Sequence, residues 1–268
     1  MFAPKNVSIE ERLDRLELGF PQYLQAFNTN PPFKSRQLDC HRRTIELLRT
    51  FASAADAVRD ESFAESLAAT LEAWDVGVER HGQSLVPQAE FRRQLKKQSL
   101  AVGELECLRI GDEALMDDER VSSLIWHIID DLDIVRCKDH PVKRKVVSGT
   151  KALHHLLPNL VPPMDNEYTA TFFGLNGFGD RPEQGFRLVF RSVAATARVV
   201  SPQSYVGQGW NSSVSKVLDN AIVGFCRTEG LLSRNKERKK EGDALIRALR
   251  DNPELMEQLK SAESQPHS

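Results

Sequence analysis

Apolar residues recur every three to four positions along most of the chain, and that period admits helices and little else. Ser8 followed by Glu11 reads as a capping box, with Ile9, Leu13 and Leu16 striping a first helix that ends near Gly19-Phe20-Pro21. Ser35 stands where it would cap a long helix burying Leu38, Ile45, Leu48, Ala52, Ala55 and Val58, and Phe63, Leu67, Leu71, Trp74 and Val78 mark a third. After a turn-like stretch at 81–87 the stripes resume with Phe91, Leu95, Val102 and Leu105, then with Val121, Leu124, Ile125, Ile128 and Leu132. Period-2 alternation is lacking: FRLVF at 186–190 has strand character, but Val189, Val193, Ala197 and Val200 assign it to a helix. A last apolar helix, SVSKVLDNAIVGF, turns Val214, Val217, Leu218, Ala221, Ile222 and Phe225 inward. The fold class expected is all-α, a single large multi-helix domain or two lobes around a cleft.

The helical domain is expected over 1–230, with N-terminal helices at 1–110 and the chemistry at 118–230; residues 231–268 form a charged tail, partly helical or disordered. The 268 residues include 40% hydrophobic and 28% charged residues, enough to bury a real core. No leader-like N-terminal run and no window of eighteen apolar residues occur, so the expectation is a cytoplasmic protein with no membrane partner. Four cysteines, Cys40, Cys107, Cys137 and Cys226, form no C-x-x-C pair, which speaks against a zinc ribbon or a disulfide framework. The formal net charge of −2 gives no global attraction to nucleic acid, so a local patch would have to supply it.

The segment KVVSGTKALHHLLPNLVPPMDNEYTATFFG at 145–174 concentrates the chemistry. Just ahead of it lie Arg136, Lys138, Lys143, Arg144 and Lys145, followed by Ser148-Gly149-Thr150, read as a small-residue turn starting a helix. Backbone N–H groups at such a start, with basic side chains around them, would suit a phosphate; a solvated basic face is the plain alternative. Lys151 lies one helical turn from His154 and His155, and Pro158 ends that helix. Pro162 and Pro163 stiffen the turn that places Asp165 as the N-cap of DNEYTATFF. Structurally, Asp165 is then a cap, Lys151 a solvated lysine and one histidine an interior hydrogen-bonding group. Chemically, Asp165 is a fixed carboxylate suited to stabilising a cation, and Lys151, beside Arg144 and Lys145, is an amine whose pKa its cationic neighbours lower.

Those residues resemble the helix-hairpin-helix DNA glycosylases, above all their 8-oxoguanine branch. In that family a G-V-G-T-K hairpin grips DNA phosphate and its lysine attacks the sugar C1′, while a P-V-D turn supplies an aspartate. Val147-Ser148-Gly149-Thr150-Lys151 resembles the hairpin, and Pro163-Met164-Asp165 the turn. The resemblance implies a DNA glycosylase excising a modified base from DNA. Lys151 would be its nucleophile, Asp165 its stabilising carboxylate, and Lys143, Arg144, Lys145, Ser148, Gly149 and Thr150 its nucleic-acid contacts. His154, His155, Asp219, Tyr205 and Trp210 are further pocket candidates, and Phe178 is a stacking candidate. Asp219 either pairs with Lys216 in the interior or lines the cleft of Asp165.

No cofactor and no metal are expected, because adjacent histidines on a helix point about 100° apart. No phosphate-binding loop, nucleophile elbow or dinucleotide fingerprint occurs. The rival reading is a non-enzymatic helical protein-interaction module. It requires an exposed apolar patch over the helices of 38–78 and no convergence of Lys151 with Asp165.

Overall fold

The computed structural model describes residues 7–78, 82–112, 119–137 and 145–233. The chain is all-α, with two compact units divided between Thr228 and Glu229. Within the first unit, α1 (Ile9–Leu18) opens on Ser8, whose Oγ accepts the Glu11 N–H at 3.2 Å, and α2 (Phe20–Thr29) follows directly. The long helix expected from Ser35 to Val58 is two helices. α3 (Ser35–Leu48) is capped from Lys34, and α4 (Ala54–Ala57) restarts at Ser53, whose Oγ accepts the Asp56 N–H at 3.0 Å. Ser53 competes with the helix for backbone hydrogen bonds and so breaks it, leaving Ala52 exposed rather than buried.

α5 (Glu61–Ala73) starts on Asp60, which accepts the Phe63 N–H at 2.9 Å. The stretch read as a turn at 81–87 contains a strand, β1 (Gln83–Leu85), apart from residue 81, which lies outside the described residues. It pairs antiparallel with β2 (Val135–Cys137) in the register Gln83↔Cys137, Ser84↔Arg136, Leu85↔Val135. Three-residue strands are too short for alternation to show, and their partners lie far apart in sequence. α6 (Gln88–Lys97), α7 (Ser99–Leu105) and α8 (Glu119–Asp131) follow the predicted stripes, with Phe91, Leu95, Val102, Leu105, Val121, Ile125 and Ile128 all buried.

α9 (Lys145–Leu156) and α12 (Val214–Thr228) form the interior. Every residue of α12 from Val214 to Cys226 is buried, so the helix is enclosed around its whole circumference and not on one face alone. Gly224 makes this possible: a Cβ there would run into the backbone oxygen of Tyr23 on α2. Between these two helices the chain passes through α10 (Thr169–Phe172), α11 (Pro182–Val200) and a 3-10 turn at Pro202–Tyr205. No helix among the described residues is long and apolar enough to cross a membrane.

Candidate active site

One cavity of about 440 Å³ opens where α9, the 163–168 segment, α12, the start of α3 and the end of α5 meet. Lys151, Asp165, Asp219 and Trp210 all line it, together with Phe33, Trp74, Tyr168 and Lys216. A lysine, two aspartates and a tryptophan singled out from far-separated positions therefore share one chamber.

Lys151 stands in the middle of α9, and its Nζ donates to the Trp74 carbonyl at 2.9 Å while lying 6.0 Å from the Trp74 ring. Its pKa is lowered, first by burial and last by Lys216; the carboxylates of Asp165, Asp219 and Asp75 oppose the shift. The cause differs from the expected one. Lys145 is held by Asp130 at 2.9 Å, so it is not a loose cation beside Lys151.

Asp165 precedes α10 by four residues, because the helix begins at Thr169 and not at Asp165 itself. It still caps: Oδ1 accepts the N–H of Tyr168 at 2.6 Å and of Thr169 at 3.3 Å, and its own N–H donates to Thr169 Oγ1 at 3.2 Å. Oδ2 meets no donor among the described residues, which leaves it for the cavity. What aligns Asp165 with Lys151 is a bond between their neighbours. The Met164 N–H donates to Thr150 Oγ1 at 3.1 Å, and that hydroxyl donates to the Val146 carbonyl at 2.6 Å.

Among the described residues, 147–151 are helix and not the expected hairpin. α9 already runs through Ser148, Gly149 and Thr150, which are buried at 5% exposure or less or pressed against α8. A Cβ on Gly149 would lie 2.9 Å from Ile129 Cγ2, so the glycine serves helix packing rather than phosphate approach. Ser148 and Thr150 are buried at 5% and 0% exposure, so their side chains are turned into the packing and not outward toward a phosphate. Lys143 and Arg144, like Lys138, lie outside the described residues; Arg136 pairs with Glu90 at 2.7 Å.

His154 and His155 are fully buried behind the cavity wall and do not line it. The His155 Nδ1–H donates to the Lys151 carbonyl at 2.7 Å, so Nε2 must accept the Nδ1–H of His41 at 3.0 Å. His41 Nε2 in turn accepts the Ser212 hydroxyl at 2.6 Å. His154 Nδ1 donates to the Val161 carbonyl at 3.1 Å, and its Nε2 has no partner among the described residues. Burial favours the neutral form of all three rings and pushes each below the ordinary histidine range, His155 to about 4. Tyr205 packs on Phe20 at 5.5 Å, away from the cavity, and Phe178 is buried under Gly185. Among the described residues no group of side chains is arranged to hold a metal ion.

Both readings of Asp219 hold at once. Its Oδ2 takes the Lys216 ammonium in a buried pair, and the residue also lines the cavity. The Lys216 Nζ is boxed by the rings of Phe27, Phe33, Trp74 and Trp210 at 5.1–6.0 Å. Next in sequence, Asn220 Nδ2 donates to the Trp210 carbonyl at 3.0 Å and to Asn211 Oδ1 at 2.9 Å, which fixes the Trp210 loop against α12. His41, Phe33 and the Lys216 box went unread in the sequence. Lys216 was legible as a partner for Asp219 but not as the centre of an aromatic box, and His41 carried no signal at all. None of the large apolar side chains that are exposed, Leu18, Leu100, Leu188, Val199 and Val206, falls within 38–78.

Comparisons with protein-family models, with curated proteins and with solved structures find no match to this chain.

Proposed function

We propose that the protein is a DNA glycosylase-like enzyme that cleaves the N-glycosidic bond of a modified base, with the reaction taking place in the 440 Å³ cavity. The observation that carries the proposal is the convergence of Lys151 and Asp165 on that cavity beside the aromatic surfaces of Trp74, Trp210, Phe33 and Tyr168. A base turned out of the stack loses pairing and stacking worth a few kcal/mol, and aromatic side chains that can stack on it return part of that cost. As the C1′–N bond breaks, the base departs with its electron pair and positive charge builds on the sugar. A fixed carboxylate stabilises such a cation, as in sugar hydrolysis generally. Asp165 is held for this by its two backbone bonds.

Lys151 has two courses. With its amine neutral, the nitrogen lone pair bonds C1′, and opening of the sugar ring leaves an imine that borohydride reduces to a stable cross-link. With its amine charged, water bonds C1′ and an intact abasic site results. Burial favours the neutral form and the nearby carboxylates favour the charged one. Ser148, Gly149 and Thr150 are buried in α9, so the proposed enzyme would grip phosphate with other surfaces. The alternative of a non-catalytic docking module finds no support, since 38–78 exposes no large apolar side chain among those described.

The test is a panel of duplex and single-stranded DNAs with different modified bases, scored for abasic sites with the wild type and with Asp165→Asn. The asparagine carbonyl keeps the caps on Tyr168 and Thr169 but not the charge. Excision should fall by about two orders of magnitude or more, the scale set by losing an electrostatic stabiliser, with the melting temperature little changed. Equal excision by both proteins, or none on any DNA, refutes the proposal.

A further inference from the structure

We propose that the Lys216–Asp219 pair recognises the hydrogen-bonding edge of the base, taking neutral nucleobases whose edge carries a donor beside an acceptor and rejecting bases alkylated there. The inference rests on the glycosylase reading of the cavity and names the substrate class within it.

An ion pair at 2% and 5% exposure on a central helix costs desolvation energy that two apolar residues would not, so its position calls for a reason. The pair is incompletely used by the protein. Asp219 spends Oδ2 on Lys216, and Oδ1 meets no donor among the described residues. The Lys216 ammonium has three donors, one carboxylate oxygen and four surrounding rings. Both residues line the cavity. A strong acceptor and a strong donor thus stand side by side in its wall, which is the complement of an N–H next to a carbonyl or ring nitrogen on a base.

The surrounding rings fix the approach. Phe33 and Trp210 are 5.1 Å apart, and Trp74 and Trp210 6.1 Å, so they touch one another and no base fits between them. A planar ligand lies against their cavity side with its edge toward Lys216 and Asp219. Asn220, through the Trp210 carbonyl, keeps that aromatic wall next to Asp219. A methyl group on the edge nitrogen removes the donor that Asp219 Oδ1 would take and pushes the base away from Lys216. Leaving those buried charges unpaired by the ligand is the costly outcome, which is how a polar site discriminates strongly.

Calorimetric titration of the full chain with four deoxynucleosides tests this: deoxyuridine against 3-methyldeoxyuridine, and deoxyinosine against 1-methyldeoxyinosine. The expected result is binding of both parents at least tenfold tighter than of their methylated forms. In Lys216→Met with Asp219→Leu, which removes both charges and leaves none stranded, the ratio should drop below threefold. Equal binding within each pair, no binding of any nucleoside, or a ratio retained in the double variant overturns the inference. Discrimination of the methylated forms without excision of any base would overturn the glycosylase reading alone; excision without discrimination would overturn this inference alone.

Discussion

Lowering the pH from 7 to 5 should destabilise the protein steeply through the three buried histidines, more steeply than its surface charges would. His41, His154 and His155 are neutral in the fold because burial penalises the cation. A histidine in the unfolded chain takes up its proton near pH 6.5, whereas His155 in the fold does so only at about 4. Its contribution to stability is therefore complete above about 6.5, is lost as the pH falls, and levels off once the folded protein is protonated too. At pH 5, about 1.5 units below the unfolded value, the loss from His155 alone is about 2 kcal/mol at roughly 1.4 kcal/mol per unit. His41 and His154 shift in the same direction, through burial first and then through one another and Lys216. Asp219 works against them, because burial raises its pKa and its folded form holds a proton more readily. Against a total stability of roughly 5–15 kcal/mol, this places acid unfolding within reach of mildly acidic buffers. Urea unfolding at pH 7.0, 6.0 and 5.0 reads the slope, and His155→Gln supplies the control, since the amide can both donate to the Lys151 carbonyl and accept from His41. The variant should lose about 1.4 kcal/mol per pH unit of that slope between pH 6 and 5. A wild-type stability flat to within about 0.5 kcal/mol between pH 7 and 5, or imidazole resonances of these residues titrating near 6.5, would refute the reasoning.

Gly224→Ala should destabilise by roughly 1–3 kcal/mol or more, because its Cβ meets the Tyr23 backbone and α2 must move off α12; chemical denaturation measures it. Thr150→Val should cost roughly 1–3 kcal/mol by stranding the Met164 N–H and should lower excision through misalignment of Asp165, with Thr150→Ser restoring both. Asp219→Ala should cost roughly 3–5 kcal/mol in urea melts by leaving the Lys216 ammonium buried without its carboxylate, whereas Lys216→Met with Asp219→Leu should be close to neutral.

The sequence by itself determined most of the helices, though not the break between α3 and α4, because a 3.6-residue period is a local property written into Ile9, Leu13 and Leu16 or into Val189, Val193 and Ala197. It also determined that Asp165 would accept backbone N–H bonds, since Pro162-Pro163 and the following residues settle that turn locally. Where the answer depended on neighbours distant in sequence, the sequence was silent or misleading. Ser148-Gly149-Thr150 has the composition of a turn, yet α8 packs so closely that the glycine is needed inside a helix. β1 and β2 exist only through each other, across some fifty residues of chain. The three histidines are a cluster because α3 meets α9, a contact that leaves His41 looking like any polar residue in the sequence. The convergence of Lys151, Asp165, Lys216 and Asp219 on one cavity was likewise settled by tertiary packing, because enclosing α12 on every side brings its charged residues to face the turn that carries Asp165.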